Sequence, residues 1–351
     1  MSETLGKLRQ LTPGSAQDGV ACLAICHNEL TILPQFLNHY RRLGVSRFYV
    51  IDDRSTDGSS AFLHDQEDVA LFQPLEGSSY KEDVAMWRQS VLDAFCTGAW
   101  VTLPDLDEHL YYKNMHQSLP DLASELDRAG EEVLIAAMVD MYSDQPIAQQ
   151  AYDGEGPLEQ AFPYFDGQGE PPTGIRIVAQ PRRFLKRYPT PSVAIMGGVR
   201  ERLFFQRRPL GFVQRWLLSR FAHTQRPLNP SGLQSLQNRL VRAVTKSSFS
   251  STPFVLHKLA LMKWQRGTNF ARGPHSVDRK MIVSERLAVL LHFKFHKGSE
   301  GLEYSAQRGQ HAGGSALYKA MLPQIHGASD TPVIPESHRF DGIQSLSEVL
   351  R

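Results

Sequence analysis

The sequence predicts an α/β fold: a mostly parallel, Rossmann-like sheet flanked by helices, continued by a basic part rich in helices and loops. Three observations lead there. Apolar runs of strand length alternate with segments of helical periodicity through the first 145 residues. Those runs are continuously apolar, as in strands covered on both faces. Polar and acidic clusters follow them, at the ends where open α/β sheets bind ligands.

The elements follow in order after an N-terminal extension, 1–18. "GVACLAIC" is a first strand, broken by "HNE", and "LTILPQFLNHYRRLG" is a helix that ends at Gly44. "SRFYVID" is a second strand and "DRSTDGSS" a turn rich in Asp, Ser and Gly. "SAFLHDQ" is a short helix, "VALFQP" a third strand and "YKEDVAMWRQSVLDAFCTG" a long helix. "WVTLPDLDEHL" then reads as a strand with an acidic end, and "VLIAAMVDMY" as a further strand. Residues 144–191 are loop-like, dense in Gly and Pro. "RRPLGFVQRWLLSRFAH" reads as an amphipathic helix with Phe212, Trp216 and Leu217 on one side and several Arg on the other. "LLHFKFHKGS" alternates like a strand, so that His292, Lys294 and His296 share a face. The expected units are 1–18, a first half 19–145, a second half 146–325 with the basic helical segment, and a tail 326–351.

At 351 residues, with 41% hydrophobic and 21% charged, the chain has ordinary globular composition and ample core material. A net charge of +1 conceals an asymmetry. Residues 1–175 hold 28 of the 37 acids but 10 of the 38 bases, which leaves 9 acids and 28 bases for the rest. Between 202 and 277 there are 13 Lys and Arg and no acid. Such a block predicts an anionic partner, with Arg215 and Arg220 as contacts to an anionic acceptor or a membrane surface. Three cysteines, Cys22, Cys26 and Cys96, lack zinc spacing and fit a reducing compartment. With no signal-like or membrane-spanning run, the expected location is the cytoplasm, including the inner face of the cell membrane.

The acidic end "DLDEH" sets Asp105, Asp107 and Glu108 together. Clustered carboxylates repel unless they are solvated or share a cation. Three strand ends carry such signals in order: "AICHNE", "VIDDRSTDGS" and "LPDLDEHL". With these motifs, residues 19–112 resemble glycosyltransferase family 2, enzymes of the GT-A fold that use nucleotide-sugar donors. "LPDLDEHL" is similar to the metal motif of a bacterial subgroup with Asp-x-Asp-Glu. The resemblance implies that Asp53 accepts from the uracil or ribose of the donor, while Asp52, Ser55 and Asp57 shape the turn. Glu29 would sit near the nucleotide, Asp105 at ribose or metal-bound water, and Asp107 on Mn²⁺ or Mg²⁺ at the diphosphate.

"IMGGVRERLF" is similar to the family's acceptor-side Gly-Gly segment, which makes Glu201 the expected base, with Asp140 and Asp144 as alternatives. A C-terminal His, expected as His292, would add a metal ligand, and Lys294 or Lys297 would reach the diphosphate; His275 and His296 are weighed beside them. Lys81 and Arg88 are expected donor contacts from the helix before the acidic strand. The implied activity is transfer of a sugar, with inversion, from a nucleoside diphosphate donor read as UDP-linked to a hydroxyl of a glycan or glycolipid acceptor. The setting would be bacterial surface polysaccharide or lipopolysaccharide synthesis. Two rivals stand beside it. A nucleotidyltransferase would carry a Gly-rich basic phosphate loop, which "LAICHNELTIL" lacks. A non-catalytic polyanion- or carbohydrate-binding protein would not need the acidic motif, and nucleic acid is not an expected partner.

Overall fold

A computed structural model of the chain describes residues 5–15, 19–167, 169, 174–206, 208–249, 255–271, 273–327 and 330–350. Strand β1 (Leu8–Gln10) comes first, followed by β2 (Ala21–Cys26), α1 (Leu33–Arg42), β3 (Arg47–Asp52), α2 (Ser59–His64) and β4 (Val69–Pro74). Helix α3 (Tyr80–Phe95), β5 (Trp100–Thr102), β6 (Glu108–Tyr111), α4 (Leu119–Arg128) and β7 (Val133–Tyr142) complete the first half. Helix α1 buries Leu33, Phe36, Leu37 and Tyr40, the one-sided stripe that its periodicity demands. Pro34 sits in its first turn, where a missing N–H costs nothing, and Gly44 follows its end at a positive φ of 89°.

The second half opens with short pieces: α5 (Leu158–Ala161), β8 (Tyr164–Phe165), β9 (Arg176–Ala179), α6 (Arg182–Leu185), β10 (Val193–Met196) and α7 (Gly198–Arg200). Helices α8 (Phe212–Phe221) and α9 (Gly232–Thr245) follow, then strands β11 (His257–Lys263) and β12 (Val283–His292). Helices α10 (Gly298–Arg308) and α11 (Ala312–Gly327) and strand β13 (His338–Arg339) close the chain. The tail contributes to the core, with Leu346 and Val349 fully buried.

The main sheet runs β1-β4-β3-β2-β5-β11-β7-β12-β6. Strands β2, β3, β4 and β5 are mutually parallel, and β12 is parallel to β7. Strand β11 is antiparallel to both β5 and β7, which makes those two parallel to each other. The result is the expected α/β architecture, a mixed, mostly parallel sheet between helices. All ten residues of β7 are buried, as a central strand covered on both faces requires. Because β11 and β12 lie inside this sheet, the two halves of the sequence share one sheet. The carboxyl ends of β2, β3, β5, β7 and β12 therefore meet at one edge.

Three local expectations change. The acidic segment is not one strand: β5 stops at Thr102, and Glu108 opens β6, which pairs antiparallel with β12. Strand β12 ends at His292, and residues 294–297 form turns, so His292, Lys294 and His296 do not share a strand face. On α8, Phe212 and Trp216 point outward, in the same exposed arc as Arg215 and Arg220, while Leu218 is buried. No helix among the described residues is long and apolar enough to cross a membrane.

Candidate functional site at the carboxyl edge

The loops after β2 and β3 are laced together by the polar residues of "VIDDRSTDGS". Ser55 Oγ accepts from the Asn28 amide (2.9 Å), and the Thr56 amide donates to Asn28 Oδ1 (2.7 Å). Asp57 accepts from the amides of Leu30 and Ser59, both at 3.0 Å, and Ser59 Oγ accepts from the Glu29 amide (3.1 Å). Asp52 is buried and accepts from the Ser55 amide. Gly58 takes a positive φ of 95°, which lets the turn enter α2. Asp52, Ser55 and Asp57 are thus loop formers that satisfy backbone donors. Asp53 is different: its carboxylate faces cations. Arg54 Nη1 donates to Oδ1 (2.8 Å), and Arg308, reaching over from α10, donates to Oδ2. Glu29 lies between Lys297 Nζ (2.7 Å) and His296 Nε2 (3.1 Å).

The acidic motif is divided between two networks. In the first, Lys258 on β11 donates to Asp105 Oδ2 and to Glu108 Oε2, each at 2.6 Å. Lys258 and Glu108 are buried, whereas the Asp105 side chain is 49% exposed. Arg88 Nη2, also buried, stands 3.8 Å from the other Asp105 oxygen. Burial opposes ionisation of Asp105, but Lys258 and Arg88 outweigh it and bring its pKa to about 2. For Glu108 burial prevails over Lys258 and raises the pKa, and its Oε1 is buried without a hydrogen-bond partner.

In the second network, His292 stands between two carboxylates, with Nδ1 2.6 Å from Asp140 Oδ1 and Nε2 3.3 Å from Asp107 Oδ2. Burial alone would lower its pKa; Asp107 and Asp140 overcome this and raise it to about 9. Arg200 Nε donates to the second Asp140 oxygen (2.6 Å), and Lys294 Nζ stands 4.0 Å from Asp107.

Among the described residues, Asp107, Glu108 and His292 offer ligand atoms that all lie within 4.8 Å of one another. A carboxylate, an imidazole and a buried, unpartnered carboxylate oxygen form a donor set that suits a divalent cation. Asp140 on Nδ1 holds His292 as outer carboxylates hold metal-bound histidines, leaving Nε2 toward Asp107. A second group, His39, His109 and Glu159, is also close-set, but its two rings stack at 4.3 Å and 5°. A ring nitrogen binds a metal in its own plane, so stacked rings cannot share an ion, and this group ties α1 to β6 instead.

The remaining expected residues are placed as follows. Both oxygens of Glu201 are engaged by Arg176, at 2.6 and 2.7 Å, and both residues are buried. Asp140 likewise has both oxygens engaged, by His292 and Arg200, so each of these two carboxylates is committed to a buried cationic partner. Asp144 is exposed, and Lys81 is exposed in the first turn of α3. His275 and His257 exchange bonds with each other's carbonyls, at 2.6 and 2.9 Å. Arg215 and Arg220 lie on α8, exposed. Sequence reasoning missed Lys258, Arg200 and Arg308. A lone lysine inside the apolar run "VLHKLALM" was the available signal for the first; the other two carried none.

No family model matches the chain, and no curated protein does. Among solved structures, a Bacillus anthracis protein assigned as a glucose-1-phosphate thymidylyltransferase, in complex with sucrose, aligns with a TM-score of 0.23 and 8% identity. The alignment covers 38% of this chain and 58% of that one, less than two thirds of its length. At that level the likeness bears on neither fold nor activity.

Proposed function

We propose that the chain is a glycosyltransferase of the GT-A type, similar to family 2, which moves a sugar from a nucleoside diphosphate donor to a hydroxyl of a glycan or glycolipid. One observation carries this reading. Asp53, Asp105, Asp107 and His292, which the family resemblance implies at the donor and its cation, all lie at the carboxyl edge of one sheet. In this reading Asp107 and His292 hold Mn²⁺ or Mg²⁺, with the unpartnered oxygen of Glu108 beside them. The cation, when bound, supplies Lewis-acid stabilisation of charge on the departing diphosphate.

The chain's own groups do the rest. Asp53 orients the base or ribose, Asp105 stands beside the ribose, and the cations of Arg88 and Lys294 face the phosphates. Fixed positive groups in a partly dry site stabilise developing negative charge without reorganising. Asp140 keeps His292 in place and so acts through it. Arg308 and Tyr304 on α10 cover the strand ends, Tyr304 through a 2.6 Å bond to His27 Nε2.

The test is thermal shift and calorimetry with UDP, GDP and dTDP, with and without Mn²⁺. A diphosphate should stabilise the protein only with the cation, and Asp107→Ala should abolish that gain while leaving the unliganded melting temperature within a few degrees. Binding that survives chelator and the substitution alike overturns the cation assignment. Pyrophosphate release from a nucleoside triphosphate and a sugar phosphate would replace glycosyl transfer by nucleotidyl transfer.

A further inference from the structure

Helices α8 and α9 carry apolar side chains on the outside. Among the described residues ten large hydrophobic side chains are exposed, and seven of them lie on these two helices. On α8 they are Phe212 (79% exposed), Val213 and Trp216 (54%). On α9 they are Leu233 (67%), Leu236, Leu240 (60%) and Val244, spaced by three, four and four residues. That spacing marks one helical stripe, the kind that normally faces a core. The inward face of α9 instead buries the polar Asn238 and Thr245 with Val241. Folding has left the leucine stripe unburied, and exposed apolar patches of this kind mark interaction sites.

The charge around the stripe identifies its partner. Arg215 and Arg220 share the exposed arc of α8 with Phe212 and Trp216, and residues 202–277 contain no acid. Glu285, an acid that meets the loop between the helices, is engaged by the amides of Leu228 and Asn229, both at 2.9 Å. Three other bases of this segment meet acids of the first half: Arg202 pairs with Asp166, Lys258 with Asp105 and Glu108, and Lys263 with Asp127. Arg215 and Arg220 make no ion pair among the described residues.

We infer that α8 and α9 dock on an anionic lipid bilayer, the apolar side chains entering the headgroup boundary and the two arginines meeting lipid phosphates. Aromatic and aliphatic residues flanked by arginine are the composition of an interfacial helix. A second copy fits less well, because twofold pairing would bring arginines together with no acid in the segment to answer them. Nucleic acid fits the arginines but leaves the leucine stripe in water.

Vesicle sedimentation of the full chain tests this with phosphatidylcholine alone and with roughly one-third phosphatidylglycerol. Binding to the anionic vesicles only, weakening with salt, is expected. Arg215→Gln with Arg220→Gln should lower the partition coefficient on the order of 30-fold, at about 1 kcal/mol per arginine. Trp87, Trp100 and Trp264 are buried, so Trp216 is the reporter: its emission should shift to the blue on binding. In Trp216→Phe the shift should vanish while sedimentation persists. Leu240→Ser, checked for an unchanged melting temperature, should weaken binding at least tenfold. Absence of binding to anionic vesicles at low salt overturns the proposal. So does a dimer in sedimentation equilibrium that Leu240→Ser dissociates, since a second copy would then own the face.

Discussion

Replacing Lys258 with Met removes the ammonium under the acidic motif and keeps most of its volume. The two carboxylates it serves are affected unequally. Asp105 is about half exposed and has Arg88 at 3.8 Å, so its loss is on the scale of a surface pair, about 1 kcal/mol or less. Glu108 has no solvent exposure, and its second oxygen is already unpartnered. Stranding a buried charge costs about 3–5 kcal/mol. The protein can escape by protonating Glu108, which from an ordinary pKa near 4.3 costs about 3.7 kcal/mol at pH 7. Because burial already raises the Glu108 pKa with Lys258 present, the escape is easier than that. The expected loss at pH 7 is therefore about 2–4 kcal/mol, falling by about 1.4 kcal/mol for each pH unit of acidification until it nearly vanishes near pH 5. Urea unfolding in chelator, at both pH values, measures it for the wild type, Lys258→Met, Glu108→Gln and the double variant. Glu108→Gln in the Lys258→Met background should restore most of the loss. A loss under about 1 kcal/mol at pH 7, or one that grows on acidification, would refute the reasoning.

Glu201→Ala should destabilise by about 3–5 kcal/mol, because it strands the buried Arg176 guanidinium. A fully stable variant that has lost only turnover would return Glu201 to the role of base. Burial pushes His257 down to about 3 and His275 to about 4, so both are neutral when folded and take up protons when unfolded below about pH 6.5. Their contribution is complete above that pH and fades as the pH falls toward 4. Stability should drop on the order of 2–4 kcal/mol from pH 7 to 5, with the part-exposed His275 supplying the smaller share. His257→Gln should flatten the profile measured by urea unfolding, and an unchanged slope would place the proton uptake elsewhere.

What the sequence revealed was local. The stripe of α1, the continuous runs of β2, β3 and β7, and the turn between β3 and α2 depend on neighbours a few residues away, and periodicity reports those. The same locality explains the misses. Lys258 meets Glu108 across 150 residues of chain, and nothing near either position encodes the meeting. His-Phe-Lys-Phe-His alternates like a strand, yet β12 has already ended, and the turn that follows brings His296 to Glu29 while Lys294 stays near Asp107. Glu201 has an arginine on each side in the sequence, but Arg200 and Arg202 turn to Asp140 and Asp166, and the arginine that engages Glu201, Arg176, comes from the neighbouring hairpin strand β9. On α8 the helical pattern was right, but Phe212 and Trp216 share the exposed arc with Arg215 and Arg220 instead of opposing them, because periodicity finds an apolar face without saying what covers it.

The charge asymmetry shows how far a bulk number can carry. Twenty-eight bases against nine acids after residue 175 predicts an anionic partner for the whole half. Much of that partner is the first half of the same chain. Arg200 meets Asp140, Arg202 meets Asp166, Lys263 meets Asp127, Arg286 meets Glu125, Lys297 meets Glu29 and Arg308 meets Asp53. Opposite charges separated along the sequence are brought together by threading β11 and β12 between strands of the first half. Several of these pairs converge on the carboxyl edge, so the acids that would serve a donor and its cation are held by bases from far along the chain. Removing those bases should therefore disturb the site and the fold together, whereas removing Arg215 and Arg220, which are exposed and make no ion pair among the described residues, should disturb neither. That difference separates the part of the basic block that belongs to the molecule from the part that belongs to its surroundings.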